Sequence, residues 1–398
     1  MTNKLPFICG VVVFILLYIS EETLLFGTSD ISSFRSIGKF IGFECIIPLA
    51  YLCWHYKKGV QPTLILVFAI MAFWLMISSV FLGGDFNVAM MEISLMMTSV
   101  LFVSLFDYSF FKKSIVQIIF FLSIFSLILF FFQHISYPLT QYLPKVNNFL
   151  GFRYNSIGIA NLLDRPLYIR NMSIFREPGV YAFFLCMALY YELEREQKNL
   201  TVFFVLLLSV FTTYSTTGYI CSFLLLLYYA LHKELKKRYV IFFSLFILAF
   251  LFDEDVFSLV WNKVDEENGS FLSRLSSVYA NLEMFWMNPL IGIGEYNAST
   301  MFGDVVSSIF GQIAKDNTNT FLLLFAAYGL FYGSICIWGW ARLFYKEHGK
   351  SFIFVFFVFF LLLSSELLIH NVIFYIILFY GFLLGKKDLY ECDGNKHP

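Results

Sequence analysis

Long apolar segments recur along almost the whole 398-residue chain, and they restrict its fold more than any other feature. Hydrophobic residues make up 59% of the chain and charged residues only 14%, whereas a typical soluble domain is about 25% charged. A soluble core of this length has no room for 52 Phe side chains, so much of this surface is expected to face lipid. The sequence predicts an all-α polytopic membrane protein in which residues 1–398 form a single domain.

We predict about twelve transmembrane helices, several of them shorter than the ~20 residues that normally span a bilayer. The two helices in the middle of the chain depend on a break at residues 212–217, because without it they fuse and the topology behind them inverts. The predicted helices lie at about 5–21, 40–56, 61–82, 87–106, 114–135, 178–193, 199–213, 218–232, 238–252, 319–342, 351–368 and 371–385.

The basic residues predict how these helices are oriented. With twelve helices and the N-terminus inside, the inner segments hold 17 of the 27 Lys and Arg, and the short outer loops hold only Arg35 and Lys39. Cytoplasmic loops of membrane proteins are enriched in Lys and Arg, so both termini are expected in the cytoplasm. A net charge of −1 gives no support for a nucleic-acid partner, and neither long loop contains a Cys for a disulfide or thiolate metal site.

Two long polar segments, at about 136–176 and 253–317, interrupt the apolar pattern on the predicted outer side. The first carries five basic residues against Asp164 alone, and the second carries ten acidic residues against three basic ones. Loops longer than about 15 residues are usually functional or disordered. Both segments are also rich in Phe, Leu, Ile and Tyr, which favours an ordered, functional role.

The second long segment contains an amphipathic pattern. Apolar residues recur at helical spacing between Phe271 and Phe285, and Arg274, Ser277 and Asn281 fall on the other face. This pattern predicts a helix that lies on the membrane surface. A second, compatible interpretation is that the helix carries Arg274 over a functional site.

Acidic and amide groups gather at the predicted outer ends of the helices and are scarce at the inner ends. Polar groups in lipid are costly and tend to mark function, so this indicates a polar cavity open to the outside. The alternative is that residues one turn from the surface merely reach water. The groups concerned are Glu44, Glu92, Glu177, Glu366, the polar residues at 212–217, Asn317 and Asn319.

An enzyme on the outer face has no energy source there, so its substrates must arrive already activated. Lipid-linked diphosphate sugars have a good leaving group, and their transfer requires cations for the diphosphate and a base for the acceptor proton. Arginine suits a diphosphate because its fork is planar and always charged. The first long segment supplies a row of arginines, and Glu177 is the candidate base if its surroundings raise its pKa. The scattered histidines suggest neither a metal cluster nor a Ser-His-Asp arrangement.

Four motifs resemble those of the Wzy class of O-antigen polymerases, in order and in spacing. The resemblance covers about 175–335 by motif and the whole chain by topology. The motifs are the Arg176-Glu177-Pro178-Gly179 string within 175–181, the small polar turn at 213–218, Arg274 followed by the Asn-Pro-Leu-Ile-Gly-Ile-Gly segment at 288–294, and the Asn-rich helix start at 316–320 followed by Tyr328-Gly329-Leu330.

The resemblance implies a glycosyltransferase that joins undecaprenyl-diphosphate-linked repeat units at the periplasmic face of the bacterial inner membrane. It implies no metal and no cofactor, and it suggests a chain-length regulator protein as a partner. Carried over to this chain, it assigns catalysis to Arg176, Glu177 and Arg274. The candidate substrate-binding residues are Arg153, Arg165, Arg170, Gly179, Asn317 and Asn319.

Three alternatives remain open. O-antigen ligases resemble the polymerases in architecture but place a His in the second long loop, whereas this chain has no His between His232 and His348. Polymerases of capsule or of enterobacterial common antigen are a second alternative. A lipid-linked oligosaccharide flippase is the non-enzyme alternative, but it would need charged groups along a path through the membrane, and here the charges stay near the outer ends.

Overall fold

The computed structural model describes residues 4–82, 85–166, 169–232, 269–310 and 317–383. The predicted helix at about 238–252 and parts of the second long segment, at 253–268 and 311–316, lie outside this range. The helices in the described part are α1 (Leu5–Tyr18), α2 (Ser32–His55), α3 (Pro62–Phe81), α4 (Phe86–Leu105), α5 (Tyr108–Ile135), α6 (Tyr137–Thr140), α7 (Pro178–Glu194), α8 (Leu200–Thr212), α9 (Thr216–His232), α10 (Gly269–Met287), α11 (Glu295–Phe310), α12 (Thr320–His348), α13 (Phe352–Leu363) and α14 (Val372–Phe382).

Five helical segments of the described chain are long and apolar enough to cross a membrane. They are Ser32–His55, Pro62–Phe81, Phe86–Leu105, Tyr108–Ile135 and the continuous stretch Thr320–Leu363, and α1, α8, α9 and α14 are shorter apolar helices. The predominantly helical, membrane-spanning fold is therefore confirmed, while the count of twelve spans stays a prediction. The predicted break at 212–217 is present, because α8 ends at Thr212 and α9 begins at Thr216.

A small antiparallel sheet forms in the first long segment, which we expected to contain no strands. Its strands β1 (Lys145–Asn147), β2 (Arg153–Ser156) and β3 (Asn161–Leu163) lie in the order β1-β2-β3. The all-α prediction is thus incomplete here, because strands this short give no readable alternation of apolar and polar residues. Gln133 near the end of α5 donates to the carbonyl of Leu163 (2.8 Å) and accepts from the Asn155 amide (2.9 Å), which fixes the sheet to the helix bundle.

Small residues let the inner helices approach closely. Gly42 of α2 lies against Ser94 and Leu95 of α4, and Thr98 donates a hydrogen bond to the Gly42 carbonyl at 2.7 Å. Gly381 of α14 lies against the Gly339 backbone of α12, where an added Cβ would sit 1.9 Å from the carbonyl oxygen. In lipid, such close contacts replace the hydrophobic driving force between helices. Helix α14, which takes part in these contacts, and helix α7 are almost entirely buried.

The connection between α10 and α11 docks onto a kink in α12. The kink is at Gly329, whose φ of 77° is open to glycine but strained for other residues. Backbone bonds join the two segments, from Leu330 to the Pro289 carbonyl (2.8 Å) and from Gly294 to the Ala327 carbonyl (2.9 Å). Gly292 also has a positive φ and packs on the same backbone. The Gly-Ile-Gly segment at 292–294 and the Tyr-Gly-Leu segment at 328–330 therefore pack against each other.

We expect Gly329→Ala to destabilise the protein by about 2–4 kcal/mol. The positive φ costs about 1–3 kcal/mol for an L-residue, and the new Cβ would lie 2.3 Å from the Leu290 carbonyl oxygen. The measurement is the thermal unfolding midpoint of the purified protein in detergent. Gly59→Ala is the matched control, because a Cβ at Gly59 meets nothing within 4 Å. Equal midpoints for the two variants would contradict the proposed docking contact.

Candidate functional site

Arg176 lies immediately before α7 and is bound on two sides. Its Nε donates to Glu22 at 2.8 Å, and its terminal nitrogens donate to the Leu367 carbonyl at 3.2 Å and approach Glu177 at 3.8 Å. Glu22 is only 4% exposed, so this ion pair is largely shielded from water. Burial opposes the charge on Arg176, but Glu22 and Glu177 outweigh it and hold the pKa of the guanidinium above its usual value. Arg176 therefore links the α1–α2 turn to the α13–α14 turn.

Two further arginines dock onto the α8–α9 turn, residues 213–216. Arg170 donates to the carbonyls of Thr213 (3.0 Å) and Tyr214 (3.3 Å), and Arg274 of α10 donates to the Thr216 hydroxyl at 3.2 Å. The turn is tight because Tyr214 has a φ of 48°. The small polar motif at 213–218 therefore serves as the platform that brings Arg170 and Arg274 together.

The polar face of α10 faces the protein, as one of the two sequence interpretations requires. Ser277 accepts from the backbone of Thr318 at 3.1 Å, and Asn281 forms a reciprocal amide pair with Asn317 (3.0 and 2.9 Å). Tyr279, Leu282 and Trp286 are exposed on the opposite face. These bonds fix the direction from which Arg274 approaches the α8–α9 turn.

Glu366 lies in the α13–α14 turn and is only 6% exposed. Its carboxylate fits against Gly179 at the start of α7, where a Cβ would lie 1.7 Å from Oε1. The turn itself is held by Thr320, whose hydroxyl donates to the Glu366 carbonyl at 2.5 Å and accepts from the Leu368 amide at 2.9 Å. Gly179 of the Arg-Glu-Pro-Gly string is therefore the residue that makes room for a buried carboxylate.

The charges of Arg170, Arg176, Arg274, Glu177 and Glu366 act on one another, and we call this group the arginine cluster. Burial raises the pKa of Glu366 to about 8, with Glu177 adding to the rise and Arg274 and Arg176 opposing it. Burial lowers the pKa of Arg170. The negative charge of Glu366 opposes this decrease, and the positive charge of Arg274 adds to it. Two arginines of the first long segment and one of α10 thus lie within electrostatic range of Glu366.

The remaining predicted site residues lie around this cluster or support it. Burial and the charge of Glu177 raise the pKa of Tyr154, and the charge of Arg165 opposes this rise. Arg165 and Glu177 therefore both lie within electrostatic range of Tyr154. Arg153 is 58% exposed and pairs with Asp164 at 3.6 Å. Asn319 caps α12 by accepting from the Leu322 amide at 2.9 Å, and Asn317 is engaged with α10. Both asparagines therefore hold helices in place through their side chains.

A second buried group, the histidine cluster, consists of Glu92, Glu295 and His370. His370 donates through Nδ1 to Glu92 (2.5 Å) and through Nε2 to Glu295 (3.0 Å). Burial disfavours the charge, but Glu295 and Glu92 outweigh it and raise the pKa of His370 well above its usual value. Tyr375 donates to Glu92 and Tyr328 donates to Glu295. Among the described residues these three could offer metal ligands within 4.8 Å of one another, but both imidazole nitrogens already serve as donors.

Sequence reasoning pointed to most of these residues but missed some of their partners. Glu22 carried no signal, because an acidic residue in a short turn is common. Glu366 and Glu92 were expected near a polar cavity, and the structure places them in two different clusters. Glu44, expected with them, is exposed on α2. No sequence signal indicated that His370 and Glu295 lie beside Glu92, because the three residues are far apart in the chain and only the fold brings them together.

Comparison with known families agrees with the motifs. The family model Wzy_C, described as O-Antigen ligase, matches residues 201–337, a range that includes the α8–α9 turn, Arg274 and the kink at Gly329. No curated protein matches the chain. Members of this family are membrane glycosyltransferase-like enzymes, which fits the several apolar helices of a multi-pass membrane protein. Residues 201–337 are thus similar to the O-antigen ligase family Wzy_C, which supports the resemblance to the Wzy/O-antigen ligase-like superfamily.

Proposed function

We propose that the protein is an O-antigen polymerase that joins lipid-diphosphate-linked repeat units in lipopolysaccharide biosynthesis. The observation that carries this proposal is the arginine cluster, in which three guanidinium groups lie within electrostatic range of the Glu366 carboxylate, with Glu177 close by. Such a group matches the needs of glycosyl transfer from a diphosphate, namely cations for the leaving group and a carboxylate for the acceptor proton. The family match supports a lipid-linked glycan as the substrate.

The three arginines are suited to different tasks. Arg176 is committed to Glu22 and to the Leu367 carbonyl, so it positions the α13–α14 turn. Arg170 and Arg274 share the α8–α9 turn and are bound mainly to uncharged oxygens. Their guanidinium charge is therefore less neutralised than that of Arg176, and we assign them to the two phosphates of the carrier. Arginine forks bind phosphate oxygens with defined geometry.

The charge pattern of the sequence supports the proposed orientation, and the resemblance to the Wzy class supports the proposed carrier, membrane and partner. The arginine cluster faces the periplasm, both termini lie in the cytoplasm, and the carrier is undecaprenyl diphosphate in the inner membrane. The substrate arrives activated, so the reaction requires no cofactor. A chain-length regulator protein is the proposed partner.

Ligation of finished O-antigen to the lipid core is the second candidate, because the matching family model is described by that activity. The two functions differ in the phenotype of a gene deletion. Loss of a polymerase leaves a single repeat unit on the lipid core, and this is the result we expect for surface lipopolysaccharide. Loss of a ligase leaves a bare core and long chains on the carrier, which would overturn the proposal.

We expect Arg274→Ala to lower chain extension by about 10²–10³-fold, the usual effect of removing one preorganised donor to a developing negative charge. Arg274→Lys should recover only part of the activity, because an ammonium cannot reproduce the fork. The readout is the lipopolysaccharide ladder of a deletion strain that expresses each variant at equal protein level. Arg342→Ala, towards the far end of α12, is the control. A normal ladder with Arg274→Ala would remove Arg274 from the site.

A further inference from the structure

Resting on the proposed function, we infer that Glu366, and not the neighbouring Glu177, accepts the proton of the acceptor hydroxyl during chain transfer. In this step the hydroxyl oxygen forms a bond to the anomeric carbon of the donor. The bond between that carbon and the diphosphate oxygen breaks, and its electron pair leaves with the diphosphate. The hydroxyl proton passes to the Glu366 carboxylate, so atoms and charges balance without a further reactant.

The position of Glu366 supports this role. Its carboxylate is buried against Gly179, and within the described part of the chain no hydrogen bond reaches its side-chain oxygens. The other buried carboxylates of this region are already engaged, since Glu22 binds Arg176 and Glu92 and Glu295 bind His370. A carboxylate that is enclosed and unbonded can accept a proton from a substrate that enters beside it.

The charges around Glu366 also suit a base. Arg176, Arg274 and Arg170 favour the ionised carboxylate, whereas burial, Glu177 and Glu22 disfavour it. The balance puts the pKa of Glu366 at about 8, near the pH at which a periplasmic enzyme works. A general base is most effective when its pKa lies close to the operating pH.

Glu177 has a different place in the cluster. It is 57% exposed and lies 3.8 Å from the Arg176 guanidinium. Its negative charge is the second cause, after burial, of the raised pKa of Glu366. Glu177 therefore adjusts the basicity of Glu366, and its loss should lower the pKa of Glu366.

The test measures the pH dependence of chain extension in membranes. Membranes of a deletion strain that carry each full-length variant receive the lipid-linked single repeat units extracted from the same strain, between about pH 6 and pH 9. For the wild type we expect the rate to rise about tenfold per pH unit below the pKa of the base and to level off near pH 8. Glu366→Gln should lower the rate at pH 8 by about 10²–10⁴-fold and abolish the rise. Glu177→Gln should keep the rise but displace it to lower pH.

The controls separate this inference from the proposed function. Glu283→Gln, the same change on the exposed face of α10, should match the wild type in rate and pH dependence. Glu366→Asp keeps a carboxylate, so its extension rate should be lower but should still rise with pH. This variant tests the assignment even if Glu366→Gln fails to accumulate in the membrane. A rise that persists in Glu366→Gln, or that is absent in Glu366→Asp or Glu177→Gln, overturns the assignment. If wild-type membranes extend nothing, the proposed function itself fails.

Discussion

Arg176→Ala is expected to destabilise the protein by about 3–5 kcal/mol, as breaking a buried ion pair usually does, and to stop chain extension. The variant leaves the buried Glu22 carboxylate without its partner. It also removes the donor to the Leu367 carbonyl, which neighbours Glu366 in the α13–α14 turn. The thermal unfolding midpoint in detergent and the lipopolysaccharide ladder measure the two effects separately.

A second substitution distinguishes stability from positioning. In the double variant Glu22→Gln/Arg176→Ala the buried charge is gone, so most of the lost stability should return. Activity should stay low, because the α13–α14 turn then lacks the hydrogen bond from Arg176 to the Leu367 carbonyl. Recovery of both stability and activity would mean that Arg176 serves only to neutralise Glu22. A single variant as stable as the wild type would contradict the buried pair itself.

His370→Gln is expected to cost a similar amount, about 3–5 kcal/mol, because it removes the cation between two buried carboxylates. The folded pKa of His370 lies well above its usual value of 6.5. The stabilisation that His370 contributes is therefore fully present below pH 6.5, and it is lost as pH rises through the folded pKa. The folded pKa of Glu295 lies below its usual value of 4.5, because His370 outweighs the effect of burial. The stabilisation that Glu295 contributes is therefore present above pH 4.5, and it is lost as pH falls through the folded pKa. The contributions of His370 and Glu295 are therefore both complete between about pH 4.5 and 6.5.

The measurement for His370 follows from this window. The difference in unfolding midpoint between wild type and His370→Gln should be largest near pH 6 and should shrink as pH rises above neutrality. His55→Gln is the control, because His55 is exposed at the end of α2 and stacks only on neighbouring aromatic rings. A difference that grows with pH would contradict a charged His370.

The sequence was sufficient for the predominantly helical fold, whereas the count of twelve spans and the roles of the site residues stay predictions. Long apolar runs are legible because a bilayer demands about 20 such residues in succession, and the break at 212–217 was placed correctly from a handful of polar residues. Helical spacing placed Arg274, Ser277 and Asn281 on one face of α10, and only the fold shows that this face points towards the protein. The contact of Glu366 with Gly179 did not follow, because no local rule pairs residues so distant in sequence.

The features that the sequence did not reveal share a physical cause. The strands β1, β2 and β3 are three or four residues long, too short for a periodic pattern. The bond from Arg176 to Glu22 and the bonds of His370 to Glu92 and Glu295 each join separate turns. Burial and ion pairing of this kind depend on how helix ends meet, which hydropathy does not specify. Charge patterns locate the end of the bundle at which a site lies, but not the partners within it.

Anchoring Arg170 and Arg274 to a single turn has a consequence for how such a protein diversifies. The distance between the two guanidinium groups depends on residues 213–216 and on the bonds that hold α10. Under the proposed function, substitutions in β1, β2 and their connection would change the surface offered to the sugars, while Arg170 and Arg274 stay anchored to the α8–α9 turn. If so, chimaeras that exchange residues 145–156 between relatives should transfer sugar preference without loss of turnover.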